Sequence, residues 1–190
     1  MNDRILIRPY APADADATIG IFLRAIREVS SKDYSPAQIE AWAKVEDRGL
    51  WAERRISRPA WIAEIDGEPV GFSDLTADGC LDMMFVHPEF PGLGVASSLL
   101  SRVEEEARTL GFTRIYTEAS RTARPFFERK GFRVISRQIV GNADKAWKTS
   151  SWKSSTRNRH DPPTCHPKRH SQSQDTAAKS TFCGRFSCVR

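Results

Sequence analysis

An α/β fold of the α+β kind, a mixed and mostly antiparallel sheet flanked by helices, is predicted by three observations. Two Asp-Gly pairs, Asp66-Gly67 and Asp78-Gly79, separate three short runs of strand character between Ala60 and Val86. Asp-Gly between such runs signals tight hairpins. The stretch Leu81 to Leu100 passes without a gap from strand through a glycine-bearing turn into a helix. Helical periodicity and short apolar runs then alternate as far as Val140, beyond which large aliphatic residues almost vanish.

Taken in order, Ile5-Leu6-Ile7-Arg8-Pro9 is an opening strand closed by Pro9. From Asp14 to Val29, residues Ile19, Phe22, Leu23, Ile26 and Val29 form the apolar stripe of an amphipathic helix that packs on a core. Ser35-Pro36-Ala37-Gln38 is a capping box with proline at the first helical position, opening a second helix through Trp42 and Val45. Trp42 and Trp51 are core residues on general grounds, with the lining of an apolar or aromatic acceptor pocket as the second reading. Ala60–Ile65 and Pro69–Leu75 flank the first Asp-Gly turn, and Cys80–Val86 follows the second as a short apolar strand carrying one acid, Asp82. His87-Pro88 stops that strand.

Val95, Leu99, Val103, Ala107 and Leu110 then recur close to every 3.6 residues, and Gly111 is placed as the stop of that helix. Arg114–Glu118 is a further strand, parallel to 80–86 because a helix intervenes. A helix over 122–130 and a strand over 132–140 complete the pattern. The segment Ala146 to Lys153, with Trp147 and Trp152, is the best candidate for a closing strand that is otherwise missing or poor.

Composition divides the chain of 190 residues in two: 1–140 as a domain and 141–190 as a tail. The net charge is +5, but residues from 141 onward hold 10 Lys/Arg against 3 Asp/Glu, so the domain itself is slightly acidic. A nucleic-acid role argued from net charge would therefore concern the tail alone, and its sparse aromatics, Trp147, Trp152, Phe182 and Phe186, give little for base stacking. The tail has no Ile, Leu or Met, which predicts disorder, and its abrupt onset suggests a change of reading frame or an artefact. Among Cys165, His166, His170, Cys183 and Cys188 the His166-x₃-His170 spacing fits a zinc site, but no fold is expected to hold the pairs together, so no metal is expected. Neither a secretory leader nor an apolar membrane span is visible, and no disulfide framework suggests itself. The expected setting is the cytoplasm.

The chemistry lies in the turn. Glycines 92 and 94 before a helix start form an anion site suited to a pyrophosphate. The spacing fits neither G-x-x-x-x-G-K-[ST] nor G-x-G-x-x-G. It resembles the pyrophosphate loop of the GCN5-related N-acetyltransferases, Q/R-x-x-G-x-G/A, with Gly94 and Ala96 on the second and third fixed positions. Pro91 stands where that family has Gln or Arg, and Leu93 where a basic residue is frequent. Downstream, Ser120 to Phe132 is similar to the family's N-x-x-A-x-x-L/F-Y-x-x-x-G-F helix. Ala123, Phe126, Gly131 and Phe132 match, while Ser120 and Phe127 do not. The resemblance covers residues 1–140.

It implies an acyl-coenzyme A N-acyltransferase fold of the bacterial small-molecule type. Acetyl-coenzyme A would be the co-substrate and a small-molecule primary amine the acceptor, with direct attack of the amine on the thioester. The implied coenzyme contacts are Met84, Phe85 and Val86 along the strand, Pro91, Gly92, Leu93, Gly94, Val95, Ala96 and Ser97 in the loop and helix start, and Ser120. A strand amide near Phe85 or Val86 would polarise the thioester carbonyl. Phe127 takes the place of the family's tyrosine acid and has no proton to give.

Among ionisable residues, Asp82 is the candidate base, with burial expected to raise its pKa. Glu64 and Asp74 are weaker alternatives. His87 is read as a turn residue, and Tyr116 as a core aromatic with a remote claim as an acid. Two further readings stay open: a degenerate member that binds acyl-coenzyme A with little turnover, and an interaction module working through the basic tail. Oligomeric state is undetermined, with the 132–140 edge open to pairing with a second copy.

Overall fold

The computed structural model describes residues 4–140 and 147–153. Strand β1 (Ile5–Pro9) leads into helix α1 (Ala15–Arg24), which runs on through one π-helical turn over Ala25–Val29. Helices α2 (Pro36–Trp42) and α3 (Arg48–Ile56) follow, then strands β2 (Ala60–Ile65), β3 (Glu68–Leu75) and β4 (Leu81–Val86). After β4 come α4 (Val95–Thr109), α5 (Arg124–Arg129), β5 (Arg133–Val140) and β6 (Trp147–Lys153).

Strands β1 to β4 form one antiparallel sheet in sequence order. The β2–β3 turn has Asp66 at φ 53° and Gly67 at φ 85°, both positive as a tight hairpin of right-handed twist demands. Helix α4 covers one face. Gly71 lets it approach, since a Cβ there would stand 2.9 Å from Val95 Cγ1 and 3.0 Å from the Phe85 carbonyl oxygen. Helix α4 ends as its sequence predicts: the Gly111 and Phe112 amides donate to the carbonyls of Arg108 and Ala107 at 3.0 and 2.8 Å, the double bond of a Schellman stop.

On the opposite face α1, α2 and α3 enclose a second core. Phe22, Trp51, Phe72 and Phe85 meet there with ring centroids 5.0 to 6.1 Å apart. Arg8 of β1 fastens this layer to the sheet by paired bonds to Asp14 at 2.7 Å and one to Glu64 at 2.7 Å. The Arg8 guanidinium holds the Asp14 carboxyl below the usual aspartate range.

Three expectations are corrected. The second helix stops at Trp42, not Val45, and Trp51 belongs to a separate helix, α3, whose N-cap Asp47 accepts from the Leu50 amide at 3.0 Å. The apolar stripe of α3 is too short for its periodicity to stand out among charges. Residues 114–118 make one parallel bridge, Cys80 to Tyr116, rather than a strand. The closing strand is present: β6 pairs antiparallel with β5, from Val140 opposite Trp147 to Arg133 opposite Lys153. Backbone pairing does not need the aliphatic residues whose scarcity argued against it. The remainder of the tail, including Cys165, His166, His170, Cys183 and Cys188, lies outside the described residues. No described helix is long and apolar enough to cross a membrane.

Candidate acetyl-transfer site

The site is built where β4 loses its neighbour. At its start, Leu81 donates its amide to the Tyr116 carbonyl at 2.8 Å, and the Thr117 hydroxyl donates to the Leu81 carbonyl at 2.8 Å. No further pairing joins 114–118 to β4 among the described residues. At the far end the His87 amide donates to the Val70 carbonyl of β3 at 2.8 Å. Strand amides alternate in direction, so those of Val86 and Met84 face the open side.

A bulge marks the start of this opening. Leu75 pairs with Leu81 and Asp74 with Met83, leaving Asp82 as the extra residue of β4. The bulge reverses the side-chain alternation. Leu81 and Met84 enter the core under α4, whereas Met83 joins the core under α1 to α3.

The loop after β4 leads directly into α4. Gly92 at φ 72° and Gly94 at φ 93° adopt left-handed backbone, and a Cβ on either would meet nothing within 4 Å. Their value is therefore conformation and bare backbone, not relief of an internal clash. Gly94 is the N-cap without any side-chain cap, and the first intrahelical bond is Ser98 to Gly94 at 3.0 Å. The amides of Val95, Ala96 and Ser97 thus have no intrahelical acceptor and project with the helix dipole toward the loop. Pro91 and Leu93 are exposed on this loop.

The carboxylates sort differently from expectation. Asp82 accepts from the Arg58 guanidinium at 2.8 Å, so it does not stand alone in an apolar strand. The deeply buried acid is Asp74, whose carboxyl burial pushes up to about 6. Asp74 accepts from the Met83 amide at 3.1 Å and lies 3.7 Å from Arg58 and 3.9 Å from Arg55. Arg55 is itself buried, stacked 3.6 Å over the Trp51 ring and bonded to the Trp51 carbonyl and the Met83 sulfur. Burial pulls its guanidinium down to about 10.

Glu64 belongs to the Arg8 pair at the other edge of the sheet. His87 Nε2 lies 2.8 Å from an Arg24 nitrogen. Burial first, then the Arg24 charge, lowers the imidazole pKa, as suits a structural neutral ring. Tyr116 turns its hydroxyl to Asp78. Trp42 packs edge-on to Tyr34 at 5.6 Å, and Trp51 Nε1 donates to Thr18 Oγ1 at 2.9 Å, so both indoles are core members. Phe127 is fully buried between Phe126 and Phe132, with centroids at 5.3 and 5.1 Å. Ser120 is buried, and its hydroxyl accepts from the Ala123 amide at 3.1 Å, shaping the turn into α5.

Two features escaped the sequence reading. Glu118 follows the bridge and is half-buried beside β4; its burial and the nearby Asp82 charge raise its carboxyl above the usual glutamate range. The corner between α1 and α2 is tied to the turn before α5. Tyr34 accepts from the Arg121 amide at 2.8 Å, and Thr122 donates to Asp33 at 2.6 Å. No local pattern announces either, since both rest on residues far apart in the chain.

A sheet whose fourth strand opens beside a glycine-bearing helix start is the architecture of an acyl-coenzyme A-dependent acyltransferase. The comparisons with known proteins name the family. The model of the acetyltransferase (GNAT) domain matches residues 30–144. The N-acetyltransferase YafP of Escherichia coli K12, itself uncharacterised, is 40% identical over 150 residues, 79% of this chain and 94% of that protein. A GCN5-related N-acetyltransferase structure from Rhodopseudomonas palustris superposes with a TM-score of 0.76 at 32% identity, covering 80% of this chain and 95% of the other. The YncA structure from Salmonella typhimurium, solved with acetyl-coenzyme A, shares the fold with a TM-score of 0.62 at 19% identity, over 85% of this chain and 99% of the other. This chain belongs to the GCN5-related N-acetyltransferase family.

Proposed function

We propose that the protein moves the acetyl group of acetyl-coenzyme A to the primary amine of a small molecule, by direct attack of the amine on the thioester. The observation that supports this best is the continuity of the open β4 backbone with the uncapped start of α4. The backbone of Met84 and Val86, on either side of Phe85, would receive the pantetheine arm as an added strand, while Phe85 pairs with β3. The loop from Pro91 through Leu93, with the amides of Val95, Ala96 and Ser97, would hold the pyrophosphate. Ser120 would keep the α5 turn in place beside the coenzyme.

In this reading an amide of the β4 edge polarises the thioester carbonyl, an interaction that strengthens as the oxygen gains charge. Asp82, aligned by Arg58, helps orient the incoming ammonium. The buried Phe127 ring supplies shape and no proton, so the thiolate takes its proton from water. Because acetyl-coenzyme A is the donor, the cytoplasm is the proposed setting.

Thermal unfolding with and without acetyl-coenzyme A, paired with thiol release across a panel of primary amines, tests the proposal. A ligand that binds the folded state raises its stability. A raised Tm together with amine-dependent thiol release is expected. A raised Tm with no release would favour the degenerate binding member, as the absent hydroxyl at Phe127 suggests. An unchanged Tm despite cooperative unfolding would remove the acetyl-transfer reading.

A further inference from the structure

We propose that Glu118 is the general base that takes a proton from the acceptor ammonium, an assignment that rests on the acetyl-transfer reading above. The geometry comes first. Tyr116 lies beside Cys80 in the parallel bridge and Thr117 bonds to Leu81, so the register carries Glu118 to the level of Asp82, at the bulge where β4 opens. Ile115 and Ala119 belong to the core under α4. Side chains alternate along an extended segment, and Glu118 therefore lies on the other face, the face of Met83 and the α1 to α3 layer.

The two carboxylates are not equivalent. Asp82 is held by Arg58 at 2.8 Å, and accepting a proton would forfeit that ion pair. Glu118 has no side-chain hydrogen bond or ion pair among the described residues. The charged groups around it are otherwise engaged: Arg58 with Asp82 and Asp74, Asp78 with Tyr116, and Arg121 with the Asp33 carbonyl and the Tyr34 ring. Among the described residues the charge that acts on Glu118 is Asp82, and it is a like charge. Partial burial and that like charge both favour the protonated form, which is what a base near neutral pH requires. Arg55 and Arg58 together offset Asp74 and Asp82, so the negative charge left over at the mouth is that of Glu118, which suits a cationic amine.

The step balances without a further reactant. The ammonium gives one proton to the Glu118 carboxylate. The freed nitrogen lone pair forms the C–N bond to the acetyl carbon, and the C–S bond breaks with its electrons on sulfur. The nitrogen's second proton reaches the thiolate through water, and Glu118 returns its own proton to solvent. The products are the amide, coenzyme A thiol and one proton.

The test compares the full chain with E118Q and E118D, using acetyl-coenzyme A and the primary amine of the panel that releases most thiol. E118Q is expected to lower kcat/KM for the amine about 10²-fold or more at pH 7, while the KM for acetyl-coenzyme A and its Tm shift stay as in the wild type. The rise in rate on the acid side should vanish in E118Q and return in E118D. Carboxyl ¹³C NMR, with E118Q identifying the signal, should show Glu118 titrating above the ordinary glutamate range. A retained acid limb with activity within about threefold overturns the assignment. So does a Glu118 signal titrating in the ordinary range, and that readout decides even if no amine of the panel turns over. Should acetyl-coenzyme A leave the wild-type Tm unchanged, the acetyl-transfer reading fails and this assignment falls with it, an outcome separate from failure of Glu118 alone.

Discussion

The two faces of the sheet solve different problems. Under α4 the core is apolar, from Trp61 and Leu81 through Leu99 and Val103 to Phe127, and the proposed coenzyme elements beside it are mainly backbone. Under α1 to α3 the aromatic core encloses ionised groups, Arg55 and Asp74, with Arg58 and Asp82 at its margin. Backbone amides suit a donor that never changes, because they need only a strand edge and a helix start. An acceptor has to be read and deprotonated, which needs side chains, and buried side-chain charges are costly. The helical face therefore carries the strain of function, and the α4 face carries much of the stability.

The largest expected effect is in the aromatic core of the helical face. Phe85 is fully buried and stacked on Phe72, and Phe85→Ala should cost about 3–5 kcal/mol, read from urea midpoints. A loss below about 1 kcal/mol would mean that the aromatic layer collapses to fill the gap, and that the helical face is soft.

Asp74 tests the electrostatic half of the contrast. Its folded value of about 6 exceeds the ordinary aspartate value, so the native state holds this proton more tightly than the unfolded chain does. The stability it contributes is complete below about pH 4 and is lost as pH climbs through about 6. Asp74→Asn should therefore gain roughly 2–3 kcal/mol relative to the wild type between pH 4 and pH 7. Asp14 has the opposite sign, since Arg8 lowers its carboxyl. Asp14→Asn should be costly at neutral pH, and the deficit should shrink as pH falls below about 4. Parallel unfolding series at both pH values check the pair, and equal slopes would erase the distinction.

Gly71→Ala probes the α4 face by crowding Val95 Cγ1 at 2.9 Å, with an expected loss of about 1–3 kcal/mol in the same titration. Gly94→Ala is the mildest for folding, near 1 kcal/mol, because the strain is only that of φ 93°. The acetyl-coenzyme A-dependent Tm rise should nevertheless fall sharply. If that rise survives intact, the loop does not hold the pyrophosphate.

Much of the α4 side was legible in the chain because its signals are local. The Asp66-Gly67 turn, the 3.6-residue stripe from Val95 to Ala107 and the Gly111 stop each depend on neighbours within one element. The capping box at Ser35 and Gln38 was equally plain. Where the sequence misled, the deciding interaction was distant: Arg58 on Asp82, the single bridge at Tyr116, and the β6 segment finding β5.

The sequence by itself thus determined most of the elements, the family and the glycine-bearing turn into α4, since turn chemistry, helix stops and glycine spacing act over a few residues. Tertiary structure alone decided which acid is neutralised and which is left facing another acid. That outcome depends on burial and on distances between β4, the residues after α3 and the 114–118 segment, and electrostatics inside a protein follows those distances rather than the order of residues along the chain.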